Sequence, residues 1–206
     1  MAKFKHAIVV GASSGIGREI ALQLAASGCR VGAVARRGER LAELEKEFPQ
    51  LIVPCVHDAT DYDSVPKVFQ DLTGQVGGLD LIVYASGVMP IVEVDEYSFE
   101  KDKAMIDTNV LGAIAWLNQA AERFSHTGHG SLVGIGSVAG DRGRMKQPVY
   151  NASKAALHTY LEALRNRLDR KGVKVVTIKP GPVKTEMTAG LDMPGMMEPE
   201  QVAAFV

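Results

Sequence analysis

Six short runs of apolar, mostly β-branched residues recur along the chain, and segments with the spacing of amphipathic helices separate them. The runs are His6–Val10, Arg30–Ala35, Leu51–Val56, Leu79–Ala85, Ser131–Ile135 and Val173–Lys179. A strand that is apolar at successive positions has both faces buried, as in a parallel sheet covered by helices. The pattern therefore predicts a doubly wound, Rossmann-like α/β fold of three α/β/α layers, with all strand carboxyl ends along one edge.

Two long amphipathic stretches, 102–124 and 149–170, follow the fourth and fifth runs, and each predicts one continuous helix. Residues 180–206 combine several methionines with Gly and Pro, which predicts a loop and one short helix. Because the chain contains no internal repeat, low-complexity tract or linker, we predict that residues 1–206 form a single domain.

The composition argues against several classes of partner. Lys and Arg total 23 against 24 Asp and Glu, a formal net charge of −1, so no basic surplus is available for nucleic acid. No apolar stretch is long enough to span a bilayer. Cys29 and Cys55 lie in apolar runs without CxxC spacing, which is typical of buried thiols in a reducing compartment. We predict a cytoplasmic protein with no nucleic-acid partner, no membrane span and no metal site.

A glycine-rich turn stands directly between the first strand and the first helix. Its sequence is Gly11-Ala12-Ser13-Ser14-Gly15-Ile16-Gly17. A turn of this kind directs free backbone N–H groups and the positive end of a helix at a pyrophosphate, and glycine is needed where backbone contacts phosphate. The turn therefore predicts a nucleotide site formed by Gly11, Ser13, Ser14, Gly15, Ile16 and Gly17. A tight strand-to-helix loop without a ligand is the alternative.

The end of the second strand bears on which dinucleotide binds. An acidic residue there would accept hydrogen bonds from the adenosine ribose, whereas this chain has Arg36 and Arg37. Arginine pairs bidentately with phosphate. We therefore predict NADP(H), with Arg36 as the main contact of the 2′-phosphate and Arg37 as support; a solvated arginine pair is the alternative. Asp58, after the third strand, is expected either to bond the adenine amino group or to cap the following helix.

The spacing Gly-x-x-x-Gly-x-Gly, followed by Tyr150-Asn151-Ala152-Ser153-Lys154, resembles the short-chain dehydrogenase/reductase family in its compact, NADP-preferring branch. The resemblance covers essentially the whole chain and implies that Asn109, Ser137, Tyr150 and Lys154 are catalytic. It implies that Asn109 joins a water-linked proton relay, that Lys154 also holds the nicotinamide ribose, and that Thr185 binds the carboxamide. It extends the cofactor site to Asp58, Ala59, Ala85, Ser86, Gly87, Tyr150, Lys154, Pro180, Gly181, Val183 and Thr185.

The proposed chemistry also follows from the residues themselves. Tyr150 and Lys154 are four apart, so on a helix they share one face. A phenol titrates near pH 10, and a neighbouring ammonium would lower its pKa toward that of a usable general acid/base. Ser137, at the carboxyl end of the fifth strand, could hydrogen-bond a substrate oxygen. Each residue also has a structural alternative when taken singly. Tyr150 could simply cover the start of a helix, and Lys154 could be a surface charge. Ser137 could be a turn residue, and Asn109 could be an amide in the interior of a helix.

Three departures from the family pattern stand out. Tyr84-Ala85-Ser86-Gly87 replaces Asn-Asn-Ala-Gly after the fourth strand, so another group must hold the sheet there. Gly136 stands where a Ser or Thr often precedes the catalytic serine, and we expect a looser site. The family's last helix and strand do not follow 198–206, so the expected fold lacks them and a longer protein is suspected.

The resulting prediction is an NADPH-dependent carbonyl reductase, reversible as an alcohol dehydrogenase, that acts on a small molecule as a homodimer or homotetramer. A non-catalytic NADP(H)-binding scaffold or sensor is the alternative. The ending 185–191 also resembles that of keto-sugar reductases that act on lipid-linked pentoses, a minor enzymatic alternative. An adaptable apolar substrate wall is predicted from Met89, Met145, Met187, Met193, Met196 and Met197. The positive charge of the segment 142–146 would favour an acidic or phosphorylated substrate; a solvated loop is the alternative.

Overall fold

The computed structural model describes residues 3–190 and 194–206, and over these residues six strands form one parallel sheet. The strands are β1 (His6–Val10), β2 (Arg30–Ala35), β3 (Ile52–Val56), β4 (Leu81–Tyr84), β5 (Gly130–Ile135) and β6 (Val173–Ile178). Their order is β3-β2-β1-β4-β5-β6, which is that of a doubly wound dinucleotide-binding sheet. The predicted fold class is confirmed, and the order reverses between β1 and β4, where such sheets open a crevice.

Helices cover both faces of this sheet. Those in the described part of the chain are α1 (Gly15–Ala26), α2 (Gly38–Glu47), α3 (Val65–Val76), α4 (Phe99–Ile106), α5 (Ala113–Thr127), α6 (Pro148–Leu168) and α7 (Pro199–Ala203). In β1, Ile8 and Val10 belong to one core cluster, while Ala7 and Val9 belong to the other. Successive residues of one strand are therefore buried on opposite faces, which explains why the runs are apolar without alternation.

The helix predicted over 102–124 is confirmed within an unbroken helical run from Phe99 to Thr127, but its centre is π-helical rather than α-helical. A π-turn, Asp107–Gly112, separates α4 from α5. Two tyrosines donate hydrogen bonds to backbone carbonyls there: Tyr62 Oη to Asp107 O at 3.1 Å and Tyr84 Oη to Thr108 O at 2.6 Å. The interruption coincides with the fully buried Asn109, and such π-bulges within helices are frequent at functional sites.

Tyr84 is the group that joins the end of β4 to the neighbouring layer, at the position where the family pattern has asparagine. Its side chain is fully buried and its hydroxyl reaches the π-turn through the Thr108 carbonyl. Gly112 provides the space, because a Cβ at this position would lie 2.5 Å from Tyr84 Oη. The large phenol and the small glycine therefore fit each other, and together they fix the π-turn against β4.

We expect Tyr84→Phe to lower the free energy of unfolding by about 1–3 kcal/mol, because it leaves the Thr108 carbonyl buried without its donor. Chemical denaturation measures this. Tyr62→Phe is the matched control: it removes a tyrosine hydrogen bond to the adjacent carbonyl at a less buried side chain, where water can replace the donor. If both variants lose the same free energy of unfolding, the burial of the Tyr84 hydrogen bond does not add to its contribution to stability.

Candidate active site

The glycine turn forms an open cradle at the start of α1. Gly11 has φ +95° and Gly15 has φ +53°, both in the left-handed region that favours glycine. A Cβ on Gly17 would lie 2.2 Å from the Gly11 carbonyl oxygen, so this close approach excludes any larger residue. The Ser14 side chain does not cap the helix. The cradle therefore presents a helix N-terminus with space beside it, which fits the pyrophosphate of a dinucleotide.

One cavity of about 460 Å³ runs from this cradle along the carboxyl edge of the sheet. Of the residues predicted for the site, all but Asn109 line it. They are Gly11, Ser13, Ser14, Gly15, Ile16, Gly17, Arg36, Arg37, Asp58, Ala59, Ala85, Ser86, Gly87, Ser137, Tyr150, Lys154, Pro180, Gly181, Val183 and Thr185. Positions scattered over the sequence from 11 to 185 thus meet in one crevice, as the strand order requires.

Tyr150 and Lys154 lie in the first two turns of α6 and face the cavity together. The Lys154 Nζ atom is 5.7 Å from the centroid of the Tyr150 ring and donates a hydrogen bond to Ile135 O at 2.9 Å. A Cβ on Gly87 would lie 3.6 Å from Lys154 Nζ and 3.4 Å from Asn109 Oδ1. The phenol, the ammonium and the amide therefore converge beside the chain that leaves β4.

Burial dominates the electrostatics of this group. It lowers the pKa of Lys154 to about 8, and it raises the pKa of Tyr150 above its ordinary value, an effect that a hydrogen bond with the Ser137 hydroxyl partly opposes. The four-residue spacing of Tyr150 and Lys154 predicted that the ammonium would lower the pKa of the phenol, and the opposite shift is found. Desolvation, which cannot be predicted from a four-residue spacing, raises this pKa and outweighs the opposing effect of Ser137.

Asn109 lies behind the cavity with its side-chain amide fully engaged. Its Nδ2 donates to Val88 O at 3.0 Å and to Ser153 Oγ at 3.0 Å, while its Oδ1 accepts from Val88 N at 2.8 Å. The amide thus ties the segment after β4 to α6. Within the described residues its side chain makes no direct hydrogen bond to Lys154, so the relay role implied by the resemblance stays a prediction.

At the adenosine end, Arg36 is the more available of the two arginines. Its side chain is 68% exposed and lies 3.7 Å from the Asp58 carboxylate, a loose pair. Asp58 does not cap the next helix: its Oδ1 accepts from the Thr60 amide and hydroxyl, both at 2.9 Å, and α3 begins only at Val65. An exposed, weakly paired guanidinium at the end of β2 is suited to a phosphate ligand.

Arg37, in contrast, is held by other residues of the chain. Its guanidinium donates to Ser13 Oγ at 3.0 and 3.1 Å, to Ser14 Oγ at 2.6 Å and to Glu186 Oε2 at 2.7 Å. Arg40 also pairs with Glu186, at 3.3 Å. Arg37 therefore joins the end of β2 to the glycine turn and to the short 3₁₀ turn Glu186–Thr188, a contact that the sequence analysis missed because its partners are 149 residues apart.

The predicted methionine wall of the cavity is only partly present. Met89 and Met187 line the cavity, whereas Met145 is 77% exposed and lies outside it. The backbone of Met197 pairs with the chain near Val183, and neither it nor Met196 lines the cavity. Met193 lies outside the described residues. Arg144 lines the cavity and is the member of the basic segment 142–146 that reaches it.

His158, on α6, is a second residue that the sequence analysis missed. Its Nε2 accepts a hydrogen bond from the backbone N–H of Ser137 at 3.3 Å. The Ser137 hydroxyl in turn accepts from Ala139 N at 3.1 Å. The signal was available, since Tyr150, Lys154 and His158 follow one another at intervals of four residues and so share one helix face.

Over the ranges 3–190 and 194–206, two classes of site have no representative. No helix there is both long and apolar enough to cross a bilayer. No group of three or more His, Cys, Asp or Glu side chains in these ranges is arranged to hold a metal ion.

Comparison with known proteins places the chain among oxidoreductases of one family. Residues 5–194 match the family model described as short chain dehydrogenase. An uncharacterized oxidoreductase of Myxococcus xanthus strain DK1622 is 40% identical over 200 residues, which span 95% of this chain and 79% of that protein.

Solved structures agree with this result. A short-chain dehydrogenase from Streptomyces avermitilis superimposes with a TM-score of 0.88 at 26% identity, covering 98% of this chain and 83% of its own. The closed form of a serine dehydrogenase complexed with NADP⁺ superimposes with a TM-score of 0.89 at 26% identity, covering 97% and 86%. The resemblance drawn from the glycine turn and the Tyr150–Lys154 pair is confirmed: the chain belongs to the short-chain dehydrogenase family of oxidoreductases, which bind a nicotinamide cofactor.

Proposed function

We propose that the protein is an NADPH-dependent carbonyl reductase, reversible as an alcohol dehydrogenase, and that residues 1–206 act as one dinucleotide-binding and catalytic domain. The observation that carries the proposal is the cavity itself. It is continuous from the exposed Arg36 past the glycine turn to Tyr150 and Lys154, so a dinucleotide bound at the turn would bring its reactive end to the phenol and the ammonium.

The nicotinamide, when bound, supplies or accepts the hydride, and the protein supplies the remaining chemistry. In reduction, the Ser137 hydroxyl holds the substrate oxygen and the Tyr150 hydroxyl donates a proton to it. Burial raises the pKa of the Tyr150 phenol, so the phenol is protonated at neutral pH but is a weak acid, and proton transfer from it depends on stabilisation of the phenolate. The Lys154 ammonium, whose pKa of about 8 leaves it charged at pH 7, stabilises the phenolate that forms.

The preference for NADPH over NADH is supported by the end of β2. No carboxylate occupies the position that would accept from an adenosine ribose, and the guanidinium of Arg36 is exposed beside it. The serine dehydrogenase to which the chain is similar was solved with NADP⁺. We assign Arg36 to the 2′-phosphate, with Arg37 in support through its hydrogen bonds to the glycine turn, while Lys154 would hold the nicotinamide ribose and Thr185 the carboxamide.

The proposed substrate is a small carbonyl or alcohol compound with an apolar body. Support comes from Met89, Val138 and Met187, which line the far end of the cavity. The keto-sugar alternative rests on the ending 185–191, of which Leu191 lies outside the described residues, and no contact favours it. The cytoplasmic location and the homodimer or homotetramer stay predictions.

A screen of NADPH oxidation over ketones, aldehydes and keto acids tests the proposed function against the scaffold or sensor alternative. Turnover with any member of the panel supports an enzyme. Tight NADPH binding without turnover across the panel would favour the sensor. Matched pairs of keto acid and keto ester test in addition whether Arg144 favours an anionic substrate.

We expect Tyr150→Phe to lower kcat by about 10²–10⁴-fold, because the ring keeps its shape and loses the proton donor. NADPH affinity, measured by fluorescence titration, should change little, which separates loss of chemistry from loss of the site. Undiminished turnover in this variant would remove Tyr150 from the mechanism.

We expect Arg36→Asp to shift the ratio of kcat/KM for NADPH and NADH toward NADH by about 10–100-fold, since a charge-assisted hydrogen bond is lost and a repulsive charge gained. Arg30→Asp is the matched control, because Arg30 is exposed at the opposite end of the same strand. If both variants leave the ratio where it is in the wild type, another group recognises the phosphate.

A further inference from the structure

The ring of His158 lies directly behind the segment that carries Ser137. His158 follows Lys154 by one turn of α6, and its side chain is 10% exposed. The backbone N–H of Ser137 donates to its Nε2 at 3.3 Å. A nearly buried side chain on the same helix face as Tyr150 and Lys154 thus reaches the third polar group of the site from behind.

The hydrogen bond from Ser137 N–H to His158 Nε2 lies just beyond the carboxyl end of β5. Gly136 N donates to Ile178 O at 2.7 Å and Val138 N donates to Pro180 O at 3.1 Å, both toward the β6 side. The Ser137 N–H, between them, donates to His158. Three successive N–H groups are therefore all engaged, and His158 supplies the acceptor for the middle one.

Two glycines make room for the ring. A Cβ on Gly136 would lie 2.4 Å from His158 Nε2, and a Cβ on Gly140 would lie 2.6 Å from His158 Cε1. Gly136 is the position where the family pattern often has Ser or Thr, and its occupation by glycine suggested a looser site. In the structure the imidazole fills the space that a Ser or Thr side chain would need.

The surroundings of the ring favour the tautomer that this hydrogen bond requires. For Nε2 to accept, the ring proton must be on Nδ1, which lies 3.8 Å from Asp141 Oδ1, itself held by Lys179 at 2.8 Å. Burial, with the positive charges of Lys179 and Lys154, lowers the pKa of His158 against the opposing effect of Asp141. The imidazole is therefore neutral at pH 7 and able to accept.

We propose that His158 is a positioning residue for the reaction: by accepting the Ser137 N–H within the notch formed by Gly136 and Gly140, it fixes the backbone from which the Ser137 hydroxyl meets the substrate oxygen. The proposal rests on the proposed function, since it concerns the step in which Ser137 holds that oxygen. It assigns a role in orientation to a side chain that touches neither substrate nor cofactor.

The test compares two replacements that differ in whether they can accept. In His158→Gln the Oε1 atom can take the place of Nε2, whereas His158→Leu keeps an apolar side chain and no acceptor. We expect His158→Leu to lower kcat by about tenfold, the value of one hydrogen bond, with little change in the Kd for NADPH. Because the Ser137 N–H is left without its acceptor, Tm should also fall, and kcat and Kd are therefore measured well below the Tm of the variant. His158→Gln should retain most of the wild-type kcat, and His126→Leu, at an exposed histidine, should match the wild type.

A second variant keeps the experiment decisive if His158→Leu folds poorly. Gly136→Ala leaves His158 in the sequence but displaces its ring, so it should also lower kcat. Equal kcat in wild type, His158→Leu and Gly136→Ala would overturn the proposal, as would equal losses in His158→Leu and His158→Gln. A wild-type protein that reduces no carbonyl compound would instead overturn the proposed function, a separate outcome.

Discussion

The crevice depends on a very close approach of backbone to backbone at the point where the strand order reverses. A Cβ on Gly17 would lie 2.2 Å from Gly11 O, and one on Gly11 would lie 2.5 Å from Ser86 N, so the glycine turn is pressed against the end of β4. This contact sets the distance between α1 and the chain that leaves β4. Since the site residues that follow β4 and β5 and those on α6 are positioned relative to that chain, any side chain at Gly11 or Gly17 would displace the cradle from the phenol and the ammonium.

The second constraint is the rigid spacing along α6. Tyr150, Lys154 and His158 occupy successive turns of one face, so a single helix carries the proposed proton donor, the charge beside it and the acceptor behind Ser137. The π-turn between α4 and α5 approaches this face from the other side and delivers the Asn109 amide to Ser153. Tyr84 holds the π-turn in place, and the site is thus supported from two layers.

The strand pattern and the motif residues were predictable from sequence because both follow from local rules. Apolar runs located every strand to within about two residues, since burial on both faces leaves a continuous signal. The π-turn was not predictable, because it is accompanied by hydrogen bonds from Tyr62 and Tyr84, which are distant in sequence and carry no local periodicity. The Arg37–Glu186 contact and the burial that raises the pKa of Tyr150 are hidden for the same reason: each depends on what the fold brings near.

The buried ammonium of Lys154 has fewer hydrogen-bond acceptors in the described part of the chain than it can use, which lowers the stability of the folded protein. An ammonium has three donors, and among the described residues Ile135 O is the one acceptor that its Nζ reaches, while burial lowers its pKa to about 8. A buried charge that is only partly satisfied disfavours the folded state. Such a group is tolerable where its remaining donors have a use, and the ribose hydroxyls of a bound dinucleotide together with the Tyr150 oxygen would supply the missing acceptors. The incomplete hydrogen bonding of Lys154 is therefore consistent with a site whose stability is linked to occupation by its ligand.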